Sequence, residues 1–348
     1  MIRNRVEDFF PLRSFLISLA ALSGFSIAVI SAVTLLHTPP ASTVETFVTV
    51  PEQTVAVKSG DLNQLDLHES PAPAAAEPQP KEIEDAVAGL HETTAEGLVP
   101  IIRSGDKLTA LKAYAAAFEK KPDTKATISL VMVDYGLSKK LSSDAIKALP
   151  EGVSLLLSPY TKAAQQWTND ARKENREVWL SLPVQTAAYP KIDTGPYTLL
   201  TNMNLAENEK RLLRTLATST GYAGVIVEEG NSFSSRKTDF EKIIASLSGR
   251  GLGLVQSDTK SPFIGEIAQE QKAAFGKNDF WIDSVSSEKD LQSKLRSVEA
   301  AAVKNGSVIV FFRPYPVLLK SLRKWSDDLA SRQVQLAPLS HAIGAHGE

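Results

Sequence analysis

A chain of 348 residues with 43% hydrophobic and 22% charged residues has an ordinary globular composition, and its length allows one large domain or two smaller ones. The formal net charge of −2 and the lack of a lysine and arginine cluster argue against nucleic acid as a partner. The absence of cysteine excludes disulfides, thiolate metal ligands, a cysteine nucleophile and a lipidated N-terminal cysteine.

Residues 14–36, SFLISLAALSGFSIAVISAVTLL, form an uncharged apolar run. As a helix it is long enough to cross about 30 Å of hydrocarbon. A cleavable secretory signal has a shorter apolar stretch and a small-residue cleavage site, whereas this run ends in His-Thr-Pro-Pro. We therefore predict an uncleaved transmembrane anchor that makes the membrane a partner. The alternatives are a cleaved signal and a buried core helix.

Positive charge around the anchor predicts its orientation. Three arginines precede it, whereas Lys58 is the only lysine or arginine between the anchor and Lys81. The positive-inside rule therefore places residues 1–13 in the cytoplasm. The remainder of the chain is then expected in the periplasm, on the outer side of the cytoplasmic membrane.

Residues 37–95 are rich in proline, alanine and acidic residues and include the tract PAPAAAEPQP. Such a segment buries too little apolar surface to offset its ordering entropy, so we predict a mostly disordered tether. The alternating stretch TFVTVPEQTVAV at 46–57 leaves a second interpretation open, a strand that pairs with a partner. Pro51 interrupts that strand.

Seven short apolar runs alternate with amphipathic helical patterns in the remainder of the chain. The runs are 128–133, 153–157, 178–182, 224–227, 252–255, 280–282 and 308–312. Such runs are typical of strands buried on both faces of a parallel sheet. The alternation predicts a parallel α/β domain at 96–343, either a barrel or a doubly wound sheet, with a tail at 344–348.

Three helix starts carry a capping pattern, in which Ser, Thr or Asn stands three residues before a carboxylate. The pairs are Asn204 with Glu207, Thr238 with Glu241, and Ser287 with Asp290. We expect a helix to begin at each of these pairs.

Polar residues follow most predicted strands, and ligand sites in parallel α/β folds gather at the carboxyl ends of the strands. The candidate cleft residues are Asp134, Tyr135, Tyr160, Gln185, Glu228, Asn231, Asp283, Arg313 and Tyr315. Residues of these types also suit turns and caps, which is the alternative for each. Asp134 and Glu228 stand out, because a carboxylate directly after an apolar strand is desolvated unless it faces a metal, a base or a polar ligand. Trp179 and Trp281 lie inside predicted strands, so we expect them in the core.

A series of short blocks carries a family resemblance. The blocks are ISLVMVDYG, LPEGVSLLLSPY, REVWLSLP, GPYTLL, GYAGVIVEEG, RGLGLVQSDT, NDFWIDS and GSVIVFFRPYP, followed by WSDDLASRQVQLAPLS. In this order they resemble the divergent polysaccharide deacetylase family over residues 96–343. The resemblance implies an irregular (β/α) barrel-like fold of about seven strands, here preceded by one transmembrane helix and the tether.

The resemblance also implies where catalytic groups of metal-dependent members would stand, and most of those positions have changed. Val133 occupies the position of the base aspartate and Asp134 that of a ligand aspartate, and Gln256 stands where the family has an aspartate. Histidine positions carry Ser181, Glu228 and Arg313.

The five histidines, at 37, 68, 91, 341 and 346, all lie outside the predicted strand and helix body. A deacetylase of this type needs an Asp/His-bound divalent metal, a base for the water and an acid for the leaving amine. We expect the body to supply no imidazole for these roles.

Two interpretations of the degenerate site remain open. Asp134 and Glu228 form a weak divalent-metal site through oxygen ligands, or Arg313 pairs with one of them as a fixed cation. The favoured function is a pseudoenzyme without a cofactor that binds an envelope glycan or an envelope protein. The alternatives are an active metal-dependent deacetylase of an envelope polysaccharide and a structural docking subunit.

Overall fold

The structure is a computed structural model that describes residues 86–228, 236–258, 263–283 and 287–344. The predicted cytoplasmic segment, the anchor and residues 37–85 of the tether lie outside the described residues, as does nearly all of the predicted tail. None of the helices within the described ranges combines the length and the apolar character that a membrane span requires.

The described chain opens with a hairpin that the sequence pattern does not indicate. Strands β1 (His91–Thr94) and β2 (Gly97–Pro100) pair antiparallel. Leu90 is fully buried, and Arg250 binds Glu92 at 2.8 Å. The predicted boundary between residues 95 and 96 falls inside this hairpin, so the folded domain begins earlier than predicted. The strand is missed because His-Glu-Thr-Thr has no apolar pattern.

The position of this boundary predicts a difference in stability between two fragments of the chain. We expect a fragment beginning at Ala86 to unfold cooperatively and one beginning at Glu96 to be less stable by about 2–3 kcal/mol, because the shorter fragment loses the burial of Leu90. Urea denaturation of both fragments measures the difference. Leu90→Ala in the longer fragment is the control and should reproduce most of the loss. Equal midpoints for the two fragments would show that β1 contributes nothing.

The main sheet is entirely parallel. Its strands are β3 (Ala126–Tyr135), β4 (Ser154–Leu157), β5 (Val178–Leu182), β6 (Gly224–Val227), β7 (Gly253–Gln256), β8 (Phe275–Lys277), β9 (Phe280–Ile282), β10 (Ser307–Phe312) and β11 (Val334–Leu336). Eight strands follow one another in the order β8-β7-β6-β5-β4-β3-β10-β9, and β11 pairs with the start of β3. All seven predicted apolar runs are strands of this sheet. Strands β8 and β11 read Phe-Gly-Lys and Val-Gln-Leu, so neither forms a continuous apolar run.

The eight-stranded path curls into a half-barrel whose two end strands approach each other. Only Asn278 and Asp279 separate β8 from β9. The Asn278 amide donates to the Gln256 carbonyl on β7 at 2.9 Å, and the Asp279 amide donates to the Ile309 carbonyl on β10 at 2.9 Å. One short segment therefore bonds to both sides of the curled sheet. The predicted α/β, barrel-like architecture is confirmed at this level, and the doubly wound alternative is not what the chain forms.

Helices connect the strands and bury their apolar faces against the sheet. They are α1 (Ala110–Ala113), α2 (Lys139–Ala148), α3 (Ala164–Lys173), α4 (Leu205–Leu216), α5 (Lys237–Gly249), α6 (Phe263–Glu270), α7 (Glu288–Asn305), α8 (Pro316–Leu329) and α9 (Leu339–Ala342). Asn204 and Ser287 cap α4 and α7 as predicted. The third expected cap is wrong: Thr238 lies inside α5, which begins at Lys237 without a side-chain cap.

Large side chains fill the amino-terminal end of the curled sheet. Trp179, Gly224 and Gly253 lie in register across β5, β6 and β7. The Trp179 ring occupies the space that side chains at the two glycines would need, and Ile343 also lies close to that position at Gly253. The opposite end of the sheet, where the strands end, is where a cleft can form.

Two histidines belong to the folded body, contrary to the expectation that all five lie outside it. His91 is in β1, with its ring 6.1 Å from that of Tyr114, and burial lowers the pKa of His91. His341 is in α9, with its ring 4.5 Å from that of Phe118. The segments that carry them contact residues just before β7 and β5, so both imidazoles lie toward the amino ends of the strands.

Candidate functional site

A cleft of about 490 Å³ lies at the carboxyl ends of the strands. Residues at or just after the ends of β3, β4, β6, β7, β9 and β10 line it, together with Thr186, Ile192 and Thr194 from the loop that follows β5. Two further cavities, of about 200 and 300 Å³, share Asp134 with this cleft. Asp134 lines all three spaces, and Glu228 and Arg313 each line two of them.

Asp134 and Arg313 form an ion pair at the centre of these cavities. The Arg313 Nη1 atom donates to Asp134 Oδ2 at 2.6 Å, with side-chain exposures of 45% and 41%. Strands β3 and β10 are neighbours paired through Met132 and Phe312, so both residues follow the same row of the sheet. Of the two carboxylates considered as partners for Arg313, the structure shows the pair with Asp134.

Local backbone geometry presents Asp134 to the cleft. The pairing of β3 with β4 shifts register between Met132 and Tyr135, and Asp134 has a φ of 62°. Aspartate tolerates this left-handed region better than most residues. A bulge of this kind redirects a side chain, so Val133 and Asp134 both line the cleft although neighbours on a regular strand point to opposite faces.

The donor set does not fit the divalent metal that the resemblance implies. Within the described ranges, the side chains of His, Cys, Asp and Glu form no group of three or more that could hold a metal ion. The Asp134 carboxylate is already bound to a guanidinium, and a divalent cation beside it would meet a fixed positive charge. The ion pair leaves Asp134 poorly suited as a metal ligand.

The other degenerate positions are spread around the same end of the sheet. Ser181 is buried and lines the cavity of about 200 Å³. Glu228 is partly buried and lines this cavity and the larger cleft, and Asp283 lines the cleft while exposed. Gln256 is buried and lines neither of them. Asn231 lies outside the described residues.

Two predicted cleft residues have other roles. Tyr135 is fully buried, its hydroxyl donates to the Trp167 carbonyl at 3.0 Å, and burial raises its pKa. Gln185 accepts hydrogen bonds from the amide and the hydroxyl of Thr201, at 3.0 and 3.1 Å, and so holds the loop after β5. Tyr135 is therefore part of the core, and Gln185 is not among the residues that line the three cavities. Both predictions relied on position after a strand, which does not specify side-chain direction.

Two tyrosines do stand at the cavities. Tyr160 lines the cavity of about 200 Å³ and Tyr315 the cavity of about 300 Å³. The Tyr160 hydroxyl accepts from the Tyr197 amide at 3.1 Å, its ring packs where a side chain at Gly195 would lie, and burial raises its pKa. These contacts fix the position of Tyr160, and the two tyrosines are similarly exposed, at 38% for Tyr160 and 41% for Tyr315.

Trp281 is the main cleft residue that the sequence pattern assigns elsewhere. Its place inside an apolar run predicts a core position, whereas the structure places it half-buried in the cleft wall. Its indole Nε1 donates to the Ser257 carbonyl at 3.1 Å, and its ring lies 5.3 Å from that of Phe311. Strand β9 has three residues and stands at one end of the sheet, so an interior position in an apolar run does not imply full burial.

Exposure of the ion pair limits what it contributes to stability. We expect Arg313→Ala to change the free energy of unfolding by less than about 1 kcal/mol, because solvent screens a pair that is nearly half exposed. Thermal unfolding of the variant measures this. Lys140→Ala, which removes another exposed pair with Asp144, is a matched control and should behave alike. A loss of about 3–5 kcal/mol would indicate a buried pair instead.

The sequence matches the profile described as divergent polysaccharide deacetylase over residues 130–343. The uncharacterized protein YibQ of Escherichia coli K12 is 24% identical over 220 residues, which are 61% of this chain and 66% of that protein. An uncharacterized protein of Haemophilus influenzae is 23% identical over 210 residues, 59% of this chain and 74% of that protein. The chain spans just under two thirds of the YibQ length.

Among solved structures, the uncharacterized protein ATU2773 of Agrobacterium tumefaciens is similar with a TM-score of 0.66 and 28% identity. The match covers 71% of this chain and 99% of that protein. A mutant of BA3943, described as a CE4 family pseudoenzyme, matches with a TM-score of 0.34 and 12% identity over 64% of this chain and 68% of that chain. The second likeness is too low to bear on function.

Proposed function

Because the chain belongs to the divergent polysaccharide deacetylase family, we propose that its domain binds an envelope glycan in the cleft without hydrolysing it. Residues 14–36 hold the domain at the outer face of the cytoplasmic membrane. The observation that carries the proposal is the ion pair between Arg313 and Asp134, which puts a protein cation on the carboxylate at the ligand position of the enzymatic members.

Hydrolysis of an acetamide needs groups that this cleft lacks. The reaction requires a general base for the attacking water and a general acid for the leaving amine. Val133 stands at the base position, and no histidine occurs between His91 and His341 anywhere in the sequence. Arg313 cannot act as a general base, since its guanidinium stays protonated. The residues support recognition rather than turnover.

The walls of the cleft suit a sugar chain. Ligand sites are mostly apolar surfaces with a few polar groups that orient the ligand. Trp281 offers a half-buried ring in the cleft, and Tyr160 is held in position on the adjoining cavity. Glu228, Asp283 and Thr194 add oxygen atoms on the lining that can accept or exchange hydrogen bonds with sugar hydroxyls.

The test uses the full-length protein and an N-acetylglucosamine oligomer as the glycan probe. We expect Trp281→Ala to weaken binding about tenfold, which corresponds to about 1.4 kcal/mol of lost contact. The control is Trp325→Phe, because Trp325 bonds to Glu299 in a separate groove that shares no lining residue with the cleft, so this variant should leave binding unchanged. Calorimetry of the wild type and both variants gives the comparison.

The same samples test turnover. We expect no acetate release from the oligomer, with or without added zinc or magnesium. Metal-dependent acetate release that Asp134→Asn abolishes would overturn the pseudoenzyme proposal and support the active deacetylase. Equal affinities of the wild type and Trp281→Ala for the oligomer would show that the glycan does not bind in this cleft.

A reporter fusion tests the topology. A reporter that is active only outside the cytoplasm, fused after Glu348, should be active, because the anchor places the C-terminus in the periplasm. A fusion that is active only in the cytoplasm would contradict the orientation.

A further inference from the structure

Exposed apolar side chains in the described ranges are concentrated at one end of the domain. Seven large hydrophobic side chains are exposed in these ranges. Six of them surround the carboxyl ends of the strands: Leu137, Leu141, Tyr160, Ile192, Tyr315 and Val317. The seventh, Val303, lies near the end of α7, just before β10 begins. Scattered exposure would need no explanation, but a cluster of this kind marks an interaction surface.

Leu137, Leu141 and Tyr315 line the cavity of about 300 Å³, and Val317 follows Tyr315 by two residues at the start of α8; these four exposed residues are here called the apolar lip. They belong to the segments that follow the neighbouring strands β3 and β10, and the helices of those segments, α2 and α8, contact each other. The cavity of about 300 Å³ lies within this surface, and its lining is almost wholly apolar. Leu137 and Val317 are the most exposed members, at 58% and 54%.

Basic residues flank the apolar lip. Lys139 and Lys140 begin α2, and Lys320 is on the second turn of α8, between Val317 and the groove that contains Trp325; all three lysines are exposed. Lys140 is balanced by Asp144 at 2.7 Å, and Arg313 by Asp134. Lys139 and Lys320 make no ion pair with any residue in the described part of the chain. The surface therefore combines apolar side chains and a tyrosine with an excess of positive charge.

We propose that the apolar lip inserts into the surface of an anionic lipid membrane. Apolar side chains, an aromatic ring and lysines on one surface match the acyl boundary, the interface and the anionic headgroups of a bilayer. A stable protein partner or second copy needs about 800 Å² on each side with good complementarity, which is far more than four side chains provide. A bilayer requires no matching shape.

The length of the chain outside the described residues favours the same occupant. This step rests on the anchor proposed above. The 49 residues at 37–85 join the anchor to Ala86, so the domain stays linked to the bilayer that holds the anchor. The domain is thus confined close to the bilayer, where a weak contact is strengthened by the high effective concentration. The four apolar side chains and two surplus lysines need only supply a weak affinity.

The absence of native cysteine allows a single label to test the proposal. Val317→Cys and Val303→Cys carry the same environment-sensitive dye in the full-length chain reconstituted in vesicles. The two sites are matched, since the native side chains are 54% and 57% exposed. In phosphatidylglycerol vesicles, we expect a lipid-attached quencher to quench the label at 317 at least threefold more than the label at 303. In phosphatidylcholine vesicles the difference should shrink.

Charge and burial variants complete the test. Lys139→Glu with Lys320→Glu should lower the docked fraction of the 317-labelled chain roughly fivefold for each lysine. Added salt should also lower the docked fraction, because it screens the attraction between the lysines and the anionic lipid. Leu141→Asp should abolish the difference between the two labels. Thermal unfolding checks that each variant is folded, and a variant that fails to fold is replaced by Leu137→Ser, for which the same loss is expected.

Each other outcome overturns the proposal. Equal quenching at the two positions in anionic vesicles means that the lip does not enter the bilayer. Quenching at 317 that appears only at high protein density, in both lipids, means that a second copy covers the lip. Chains that float with neither vesicle refute the anchor and the docking together. Glycan binding through Trp281 is measured separately, so its failure is distinguishable from failure of docking.

Discussion

Replacing Glu177 by alanine is expected to lower the free energy of unfolding by about 3–5 kcal/mol, even though the residue lies at the end of the sheet remote from the cleft. Glu177 is 1% exposed and stands just before β5. Its two oxygens accept hydrogen bonds from the Ala116 amide, the Ser154 hydroxyl and the Trp179 indole, at 3.0–3.1 Å, and from the amide and hydroxyl of Ser340.

The size of this effect follows from what alanine leaves behind. Each buried donor without an acceptor costs about 1–3 kcal/mol, and entry of water into the space recovers part of the total. The donors come from the segment before β3, from β4, from β5 and from α9, so the carboxylate joins segments far apart in the sequence. Its loss should loosen the amino end of the sheet and the C-terminal helix together.

Urea denaturation measures the expected loss in the free energy of unfolding. Two further variants test whether the loss comes from the buried carboxylate. Glu174→Ala is the matched control, because Glu174 lies three residues away and is exposed. Glu177→Gln should lose less than the alanine variant, since the amide keeps one acceptor but turns an NH₂ group toward the donors. Wild-type stability in Glu177→Ala would show that water satisfies these donors. Glycan binding in the folded variant should be unchanged, because the cleft is at the other end.

The parallel sheet is predictable from the sequence because its strands are buried on both faces, which leaves continuous apolar runs such as 178–182 and 308–312. Elements that depend on partners distant in the sequence leave no such signal. Strand β1 reads His-Glu-Thr-Thr, and it is a strand only because β2 pairs with it. Glu177 likewise resembles a loop carboxylate, and its five donors become neighbours only after folding.

The site is predictable in part for similar reasons. Position after a strand correctly brings Asp134, Glu228, Asp283 and Arg313 to one cleft, since parallel strands end at the same edge. Side-chain direction is not predictable in this way. A register shift in β3 turns Asp134 into the cleft and leaves Tyr135 buried against Trp167. Trp281 stands in the cleft wall because β9 is a short end strand, which an apolar run does not reveal.

The second large effect is expected at the glycines beneath the Trp179 ring. Gly224→Ala should destabilise the domain by about 3 kcal/mol or more, because the added Cβ would overlap the carbonyl oxygen of Gly253 on the neighbouring strand. Gly253→Ala should cost about 1–3 kcal/mol, since its nearest contacts are side-chain atoms, Trp179 Cη2 at 2.6 Å and Ile343 Cδ1 at 2.8 Å. Backbone cannot give way as side chains do, so the two substitutions differ.

A double-mutant comparison separates the two causes. Trp179→Phe shortens the ring that crowds both glycines, so it should relieve part of the cost of Gly253→Ala and little of the cost of Gly224→Ala. Gly249→Ala is the control, because a Cβ there meets nothing within 4 Å and sits at the end of α5, where alanine is neutral or slightly stabilising. Denaturant unfolding of the three single variants, the two double variants that combine Trp179→Phe with either glycine substitution, and the control measures the couplings. Equal relief at both glycines would mean that the strands move apart, and the amino end of the sheet would then be less tightly packed than the contacts of Trp179 indicate.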